Sequence, residues 1–125
     1  MKLIKYFKNK KILVTGHTGF KGSWLVAWLK ILKANVVGVS LKPSTNPSHF
    51  EVANIKNNID SVILDITDHN SIKELILNVQ PDYVFHLAAQ ALVRDSYEDP
   101  VKTWNTNLNG TINILDSLRN LKKNV

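Results

Sequence analysis

The chain has 125 residues, 44% of them hydrophobic, with no cysteine and a formal net charge of +6. This length and composition allow one domain with its own core, and the lack of cysteine excludes a disulfide framework and a thiolate metal site. The lysines are spread along the chain without a nucleic-acid-binding motif, so we expect no nucleic-acid partner. They also interrupt the long apolar runs, so we expect no secretory signal, no membrane association and a cytoplasmic location.

The first part of the chain is expected to form a strand, a helix and a second strand after a basic N-terminal segment, 1–10. The apolar run "KILVTG" (11–16) stops at a glycine and predicts a short buried strand. A helix is expected from 20 to 33, followed by the strand "NVVGVSL" (35–41). The apolar residues of this expected helix recur at the spacing of one helix face, which predicts that both of its tryptophans anchor the core. That face consists of Trp24, Leu25, Trp28, Leu29 and Leu32.

The second part of the chain follows a polar loop and is expected to contain a strand, a helix, a strand and a long helix. Their expected bounds are 61–65, Asp68 (as N-cap) to Val79, 82–90 and 100–121. Strands that alternate with helices predict the α/β class, with a Rossmann-type parallel sheet covered by helices on both faces. Right-handed crossovers then arrange about four strands in the order 3-2-1-4, which is a partial sheet.

Three glycines stand at the expected turn between the first strand and the first helix, in "TGHTGFKGSW" (15–24). Gly16 permits the sharp turn, Gly19 lets a pyrophosphate approach the backbone, and Gly22 lets the helix pack close to the strand. Phosphates would rest on free N–H groups at the positive end of the helix dipole. The alternative is a glycine-rich turn without a ligand. With a ligand in the turn, residues 11–125 form a dinucleotide-binding domain, and this is what we expect.

This spacing of glycines, with Thr15 ahead of it, resembles the extended short-chain dehydrogenase/reductase superfamily. The segments "LDITD" (64–68), "HLAAQ" (86–90) and "NTNLNGT" (105–111) resemble further motifs of that superfamily. The resemblance implies that the first contacts the adenine ring, the second lies along the cofactor, and the third supports the active-site end. Cofactor-binding positions are thus expected at Gly16, His17, Thr18, Gly19, Phe20, Lys21, Gly22, Lys42, Asp65, Ile66, Leu87, Ala88, Ala89, Gln90 and Asn107.

Within the superfamily, the segments 14–25 and 88–111 look like those of the CDP-glucose 4,6-dehydratases, with His17, Lys21 and Trp24 as the discriminating residues. That resemblance implies a lyase that acts on a nucleotide sugar, CDP-glucose above all, and a homo-oligomeric full-length protein. It also places the substrate near Arg94, Ser96 and Tyr97. Arg94 fits either a contact to the sugar-nucleotide phosphate or an ordinary surface arginine. A different sugar-nucleotide epimerase or reductase, and a non-catalytic dinucleotide-binding module, are the alternatives.

The catalytic residues of this family are a Tyr-x-x-x-Lys pair and an acidic pair. The resemblance places them after a fifth strand, beyond Val125, and so implies that the domain 11–125 stops before that strand. The one literal match, Tyr6 with Lys10, precedes the first strand, and we reject it. His86 is expected to be a packed, hydrogen-bonded histidine within its strand. The four histidines have no metal-ligand spacing, so no metal site is expected.

The end of the second strand bears on the choice of cofactor. NAD-binding members carry an acidic residue there, which accepts hydrogen bonds from the adenosine ribose. The segment "GVSLKPST" (38–45) contains none, and Lys42 stands about where that acid would be. A lysine suits the 2′-phosphate of NADP, whereas the family resemblance favours NAD, and both stay open at this point.

Overall fold

The computed structural model describes residues 2–125, and a four-stranded sheet forms its centre. The strands are β1 (Lys11–Thr15), β2 (Asn35–Ser40), β3 (Asp60–Ile63) and β4 (Tyr83–His86). All pairings are parallel, and the order is β3-β2-β1-β4. The predicted class, strand number and strand order are therefore confirmed. β3 and β4 form the two edges of the sheet in the part of the chain that is described.

Helices cover both faces of this sheet. Their bounds are α1 Ile4–Phe7, α2 Phe20–Ile31, α3 His49–Val52, α4 His69–Val79, α5 Val93–Glu98, α6 Pro100–Trp104 and α7 Gly110–Leu118. A 3₁₀ turn, Ile55–Asn58, follows α3, and a π-helical turn, Asn105–Asn109, joins α6 to α7.

Successive residues of β1 point to opposite faces and so build two separate cores. Ile12 and Val14 pack with Leu29 of α2 on one face. Leu13 packs with Ile76 and Ile114, from α4 and α7, on the other. Three consecutive apolar residues, 12–14, are what a strand in a sheet buried on both sides requires.

Several expected boundaries differ from the structure. The helix expected over 100–121 is one run of three segments, because the π-helical turn inserts a wider turn at its centre. The strand expected over 82–90 ends at His86, and the chain leaves the sheet there. α5 was not foreseen, since no sustained apolar period marks so short a helix.

The prediction that the tryptophans of α2 anchor the core is wrong. Trp24 is 55% exposed and Trp28 is 47% exposed. The buried stripe of α2 is Gly22, Ser23, Val26 and Leu29, rotated away from both indole rings. Two small residues face the sheet because the helix must approach the glycine turn closely. Trp24 instead stacks on the ring of His49, with 4.2 Å between ring centroids.

The basic N-terminal segment packs against the domain through α1, although Met1 lies outside the described residues. Phe7 contacts Tyr83 edge-on, with 5.6 Å between ring centroids. Tyr6, the rejected catalytic match, is 52% exposed in α1 and precedes β1, at the amino ends of the strands. Across residues 2–125, the helices are too short or too polar to cross a bilayer.

Candidate nucleotide-binding site

A cavity of about 280 Å³ lies where the carboxyl ends of the four strands meet the loops that follow them. Nine of the predicted cofactor residues line it: Gly16, Thr18, Gly19, Lys42, Asp65, Ile66, Leu87, Ala88 and Ala89. Six residues that sequence reasoning missed also line it: Ser40, Leu41, Ser44, Leu64, Lys102 and Thr106. Parallel α/β sheets bind ligands at this edge, where the strand order reverses between β1 and β4.

Gly16 forms the floor of this cavity, where β1 turns towards α2. Its φ is +76°, a left-handed conformation that side chains rarely adopt. A Cβ there would lie 2.8 Å from the Ala88 nitrogen and 2.8 Å from the Leu87 carbonyl carbon. The turn and the segment after β4 therefore lie against each other with no room for a side chain.

The N-terminus of α2 presents unpaired donors to the turn. Gly19 is its N-cap and supplies no side-chain hydrogen bond. The first hydrogen bond to the cap runs from the Ser23 N–H to the Gly19 carbonyl, at 2.9 Å. The N–H groups of the three residues between them, Phe20, Lys21 and Gly22, have no hydrogen-bond partner among residues 2–125. Such a helix end attracts anions, because the dipole adds to the donors.

Gly22 determines how closely α2 approaches the turn. A Cβ at Gly22 would collide with the Gly16 carbonyl oxygen and would lie 2.9 Å from the His17 Cα. The side chain of Phe20 is 73% exposed, and Lys21 is exposed as well. Because their side chains point to solvent, Phe20 and Lys21 can contact a ligand in the turn through their backbone N–H groups.

Thr15 connects the turn to the segment after β4. Its hydroxyl oxygen accepts from the N–H groups of Leu87 and Ala88, each at 3.0 Å. With both lone pairs used, the hydroxyl proton is directed at Nδ1 of His86, 2.7 Å away. Nε2 of His86 then donates to the Thr111 hydroxyl at 3.0 Å, and that hydroxyl donates to the Asn107 carbonyl.

This chain of hydrogen bonds defines a neutral His86 with its proton on Nε2. Burial lowers the pKa of the His86 imidazole, which favours that neutral form. The expectation of a packed, hydrogen-bonded histidine is confirmed. The chain of bonds also runs from Thr15, at the start of the glycine turn, to Asn107 in the π-helical turn, so it connects these two segments of the site.

Thr18 fixes the other side of the turn. It is 6% exposed, and its hydroxyl lies 2.8 Å from both the Ser40 hydroxyl and the Leu41 carbonyl. The end of β2 is therefore attached to the turn. Lys42 follows at the rim of the cavity and forms no ion pair with any of residues 2–125.

The residues expected near the adenine form the opposite wall. The Asp65 carboxylate binds Thr67: its Oδ1 accepts from the Thr67 N–H and from the Thr67 hydroxyl, each at 2.9 Å. Ile66 is 4% exposed and fills the space left by Gly110, where a Cβ would collide with its side chain. This contact explains why position 110 in the long helix is a glycine.

Asn107 and Gln90 lie beside the cavity and bind each other. The Asn107 side chain accepts from the Gln90 N–H at 2.8 Å and donates to the Gln90 carbonyl at 3.0 Å. This pairing satisfies the backbone of a residue that lies outside any strand. Asn107 thus holds the loop after β4 against the π-helical turn.

The three residues expected near the substrate lie on α5, outside the lining of the cavity. Arg94 is paired with Glu98, with 2.8 Å between Nε and Oε1, and its side chain is 87% exposed. The Ser96 hydroxyl donates to the Val93 carbonyl, and Tyr97 is 84% exposed. Residues 2–125 bring no three acidic or histidine side chains together in a way that could hold a metal ion.

Fold and cavity together define a Rossmann-type domain with a glycine turn at the carboxyl edge of its sheet. The sequence model of GDP-mannose 4,6-dehydratase matches residues 13–125. The chain belongs to this family of extended short-chain dehydrogenase/reductases, the sugar-nucleotide dehydratases and epimerases.

Individual relatives agree with this assignment. A CDP-glucose 4,6-dehydratase of Salmonella typhimurium is 44% identical over 114 residues, which cover 91% of this chain and 32% of that protein. A GDP-mannose 4,6-dehydratase of Vibrio cholerae is 33% identical, with 89% and 32% covered. The structure of a UDP-glucose 4-epimerase from Thermus thermophilus, a complex with NAD, superposes with a TM-score of 0.75 at 31% identity, covering 87% of this chain and 33% of that one. The chain thus spans about a third of the length of the curated relatives it matches.

Proposed function

We propose that the chain is the NAD(P)-binding part of a nucleotide-sugar 4,6-dehydratase, with CDP-glucose as substrate of the whole protein. The observation that carries the cofactor part is the glycine turn. Gly16 has no room for a Cβ, and three N–H groups of the first turn of α2 have no hydrogen-bond partner among residues 2–125. The similarity to a CDP-glucose 4,6-dehydratase supports the choice of substrate.

The chain's own residues divide the dinucleotide between them in this proposal. The backbone of 16–22, with His17 and Thr18 in its turn, holds the pyrophosphate, and Asp65 and Ile66 border the adenine. The loop 87–90, which Asn107 supports, lies along the cofactor towards the nicotinamide. When bound, the nicotinamide supplies hydride transfer, which the dehydration of a sugar needs at its first and last steps.

The remaining assignments follow from the family. Arg94, Ser96 and Tyr97 border the nucleotide sugar, the full-length protein is a homo-oligomer, and the enzyme acts in the cytoplasm. The Tyr-x-x-x-Lys pair and the acidic pair belong to the part of the whole enzyme outside these 125 residues. The chain by itself then binds dinucleotide without turnover.

The choice between NAD and NADP depends on Lys42, and we expect a measurable shift when its charge is reversed. Lys42 lies at the rim of the cavity without an ion-pair partner among residues 2–125, so its ammonium group can meet a 2′-phosphate. Lys42→Asp should lower the ratio of NADP to NAD affinity by about tenfold, measured by calorimetric titration. Lys56→Asp, a second lysine of the same connection, is the matched control. An unchanged ratio in Lys42→Asp would remove Lys42 from cofactor choice.

The dehydratase assignment is tested with the complete gene product. We expect loss of water from CDP-glucose, detected as a 4-keto-6-deoxy sugar nucleotide, and much slower reaction of UDP-glucose, dTDP-glucose and GDP-mannose. The epimerase alternative is favoured by the superposition on UDP-glucose 4-epimerase. An epimer formed without loss of water would establish that alternative and contradict the dehydratase assignment.

A further inference from the structure

His17 is completely buried although it lies inside the glycine turn, between Gly16 and Thr18. Its ring occupies the space above Gly38 in β2, where any Cβ would collide with the imidazole. Nε2 lies 2.7 Å from the Ser61 hydroxyl in β3. A neutral ring therefore joins the turn to two strands at once.

The ring also contacts the connection between β2 and β3, residues 41–59. Phe50 of α3 is 4% exposed and meets His17 edge-on, with 5.3 Å between ring centroids. This connection brings Lys42 and Ser44 to the cavity. The contact therefore links the turn to the segment that forms the rim beside Lys42.

A direct role of the imidazole in holding phosphate does not agree with this geometry. His17 has no exposed surface and does not line the cavity. Nδ1 makes no hydrogen bond with any of residues 2–125. Burial lowers the pKa of the His17 imidazole, and the nearby Val39 carbonyl offsets part of that decrease. A buried, neutral imidazole can therefore affect the cavity only through the residues it contacts, which are Gly38, Phe50 and Ser61.

We propose that His17 is a positioning residue: it clamps the β2–β3 connection against the glycine turn and thereby sets the Lys42 side of the cavity. The effect of His17 on dinucleotide binding rests on the proposed function. Its effect on the β2–β3 connection does not, because it can be measured in the protein without ligand. The two parts of the proposal can therefore be tested separately.

The mechanical part is tested by hydrogen exchange of the free chain. His17→Ala removes the ring from Gly38, Phe50 and Ser61, so amides of residues 43–59 should exchange at least about tenfold faster. Amides of β1 and β4 should change much less. His17→Gln can still reach Ser61 and should recover part of the protection. Ile76→Val, a small cavity in the opposite core, is the control and should not accelerate 43–59 selectively.

The binding part is tested with ADP-ribose and NAD. His17→Ala should bind both roughly five- to tenfold more weakly, because the rim beside Lys42 is no longer held. His17→Gln should lie between that variant and the wild type. If His17→Ala does not fold, His17→Gln and Ser61→Ala provide both measurements.

Gly38 offers a reciprocal test of the same contact. Gly38→Ala alone should destabilise the chain, because its Cβ enters the imidazole. The double variant His17→Ala/Gly38→Ala should be as stable as His17→Ala, because no imidazole is left to collide with the Cβ. Its amides at 43–59 should still exchange as fast as those of His17→Ala. Recovery of protection in the double variant would contradict the clamp.

The outcomes separate this inference from the proposed function. Unchanged exchange over 43–59 in His17→Ala would overturn the clamp, whether or not the chain binds dinucleotide. Faster exchange with unchanged ADP-ribose affinity would overturn the positioning role. A wild-type chain that binds neither ADP-ribose nor NAD would contradict the proposed function and the binding part together, and the exchange result would still decide the clamp.

Discussion

Gly22→Ala is expected to lower dinucleotide affinity by about tenfold to 100-fold and to destabilise the fold. The added Cβ collides with the Gly16 carbonyl, a backbone atom that cannot move without opening the turn. Overpacking of this kind costs about 1–3 kcal/mol and shifts the backbone. Because the shift displaces the N–H groups at the start of α2, binding and stability should fall together. Calorimetric titration with NAD and a thermal melt measure the two effects.

Gly19→Ala is the matched control for this substitution. Its φ is −73°, and its Cβ would meet only the Gly16 carbonyl, at 3.3 Å. The fold should therefore survive nearly unchanged. Affinity should still fall, because the proposed function brings the pyrophosphate to the backbone of Gly19. Full affinity in Gly22→Ala, or equal affinity in all three proteins, would mean that the glycine turn holds no phosphate.

Thr15→Val is expected to destabilise the chain by about 2–4 kcal/mol, while Thr15→Ser should cost much less. Valine keeps the shape of threonine but leaves the Ala88 N–H and Nδ1 of His86 without the hydroxyl they share. The Leu87 N–H loses that hydroxyl too but keeps the Thr15 carbonyl, at 3.2 Å. Each buried polar group that loses its partner costs about 1–3 kcal/mol, and these groups are only half-buried. Denaturant unfolding of the three proteins measures the difference.

The serine variant isolates the hydroxyl from the methyl group of Thr15. It retains every hydrogen bond of the chain that ends at the Asn107 carbonyl and loses one buried methyl. An equal loss of stability in Thr15→Val and Thr15→Ser would assign the effect to packing and contradict the role of the hydroxyl.

The sequence was sufficient for the framework of the fold. Apolar runs of strand length, a 3.6-residue period and the handedness of crossovers predict four parallel strands in the order that is observed. The glycines at 16, 19 and 22 predicted the turn, because bare backbone at that spacing has few other uses. These features depend on local chemistry and on a rule of topology, and both can be read from one chain.

Features that depend on side-chain direction were not predicted. Trp24 and Trp28 share a helical period with apolar neighbours, but the glycine turn demands small residues on the buried stripe of α2 and rotates both rings outward. The burial of His17 follows from the missing Cβ of Gly38, twenty-one positions further along the chain. Lys102, on α6, and Thr106, in the π-helical turn, line the cavity although both lie far along the chain from its other residues, so only the tertiary fold brings them there.

The free side of β4 has a consequence for how such a domain can grow. The hydrogen bonds of β4 to β1 use one side of the strand, and the other side is open among residues 2–125. Another strand could join the open side without touching the glycine turn, since that turn follows β1 at the carboxyl edge of the sheet. The sheet can therefore be extended at its β4 edge while the cavity at the carboxyl ends of the strands keeps its lining.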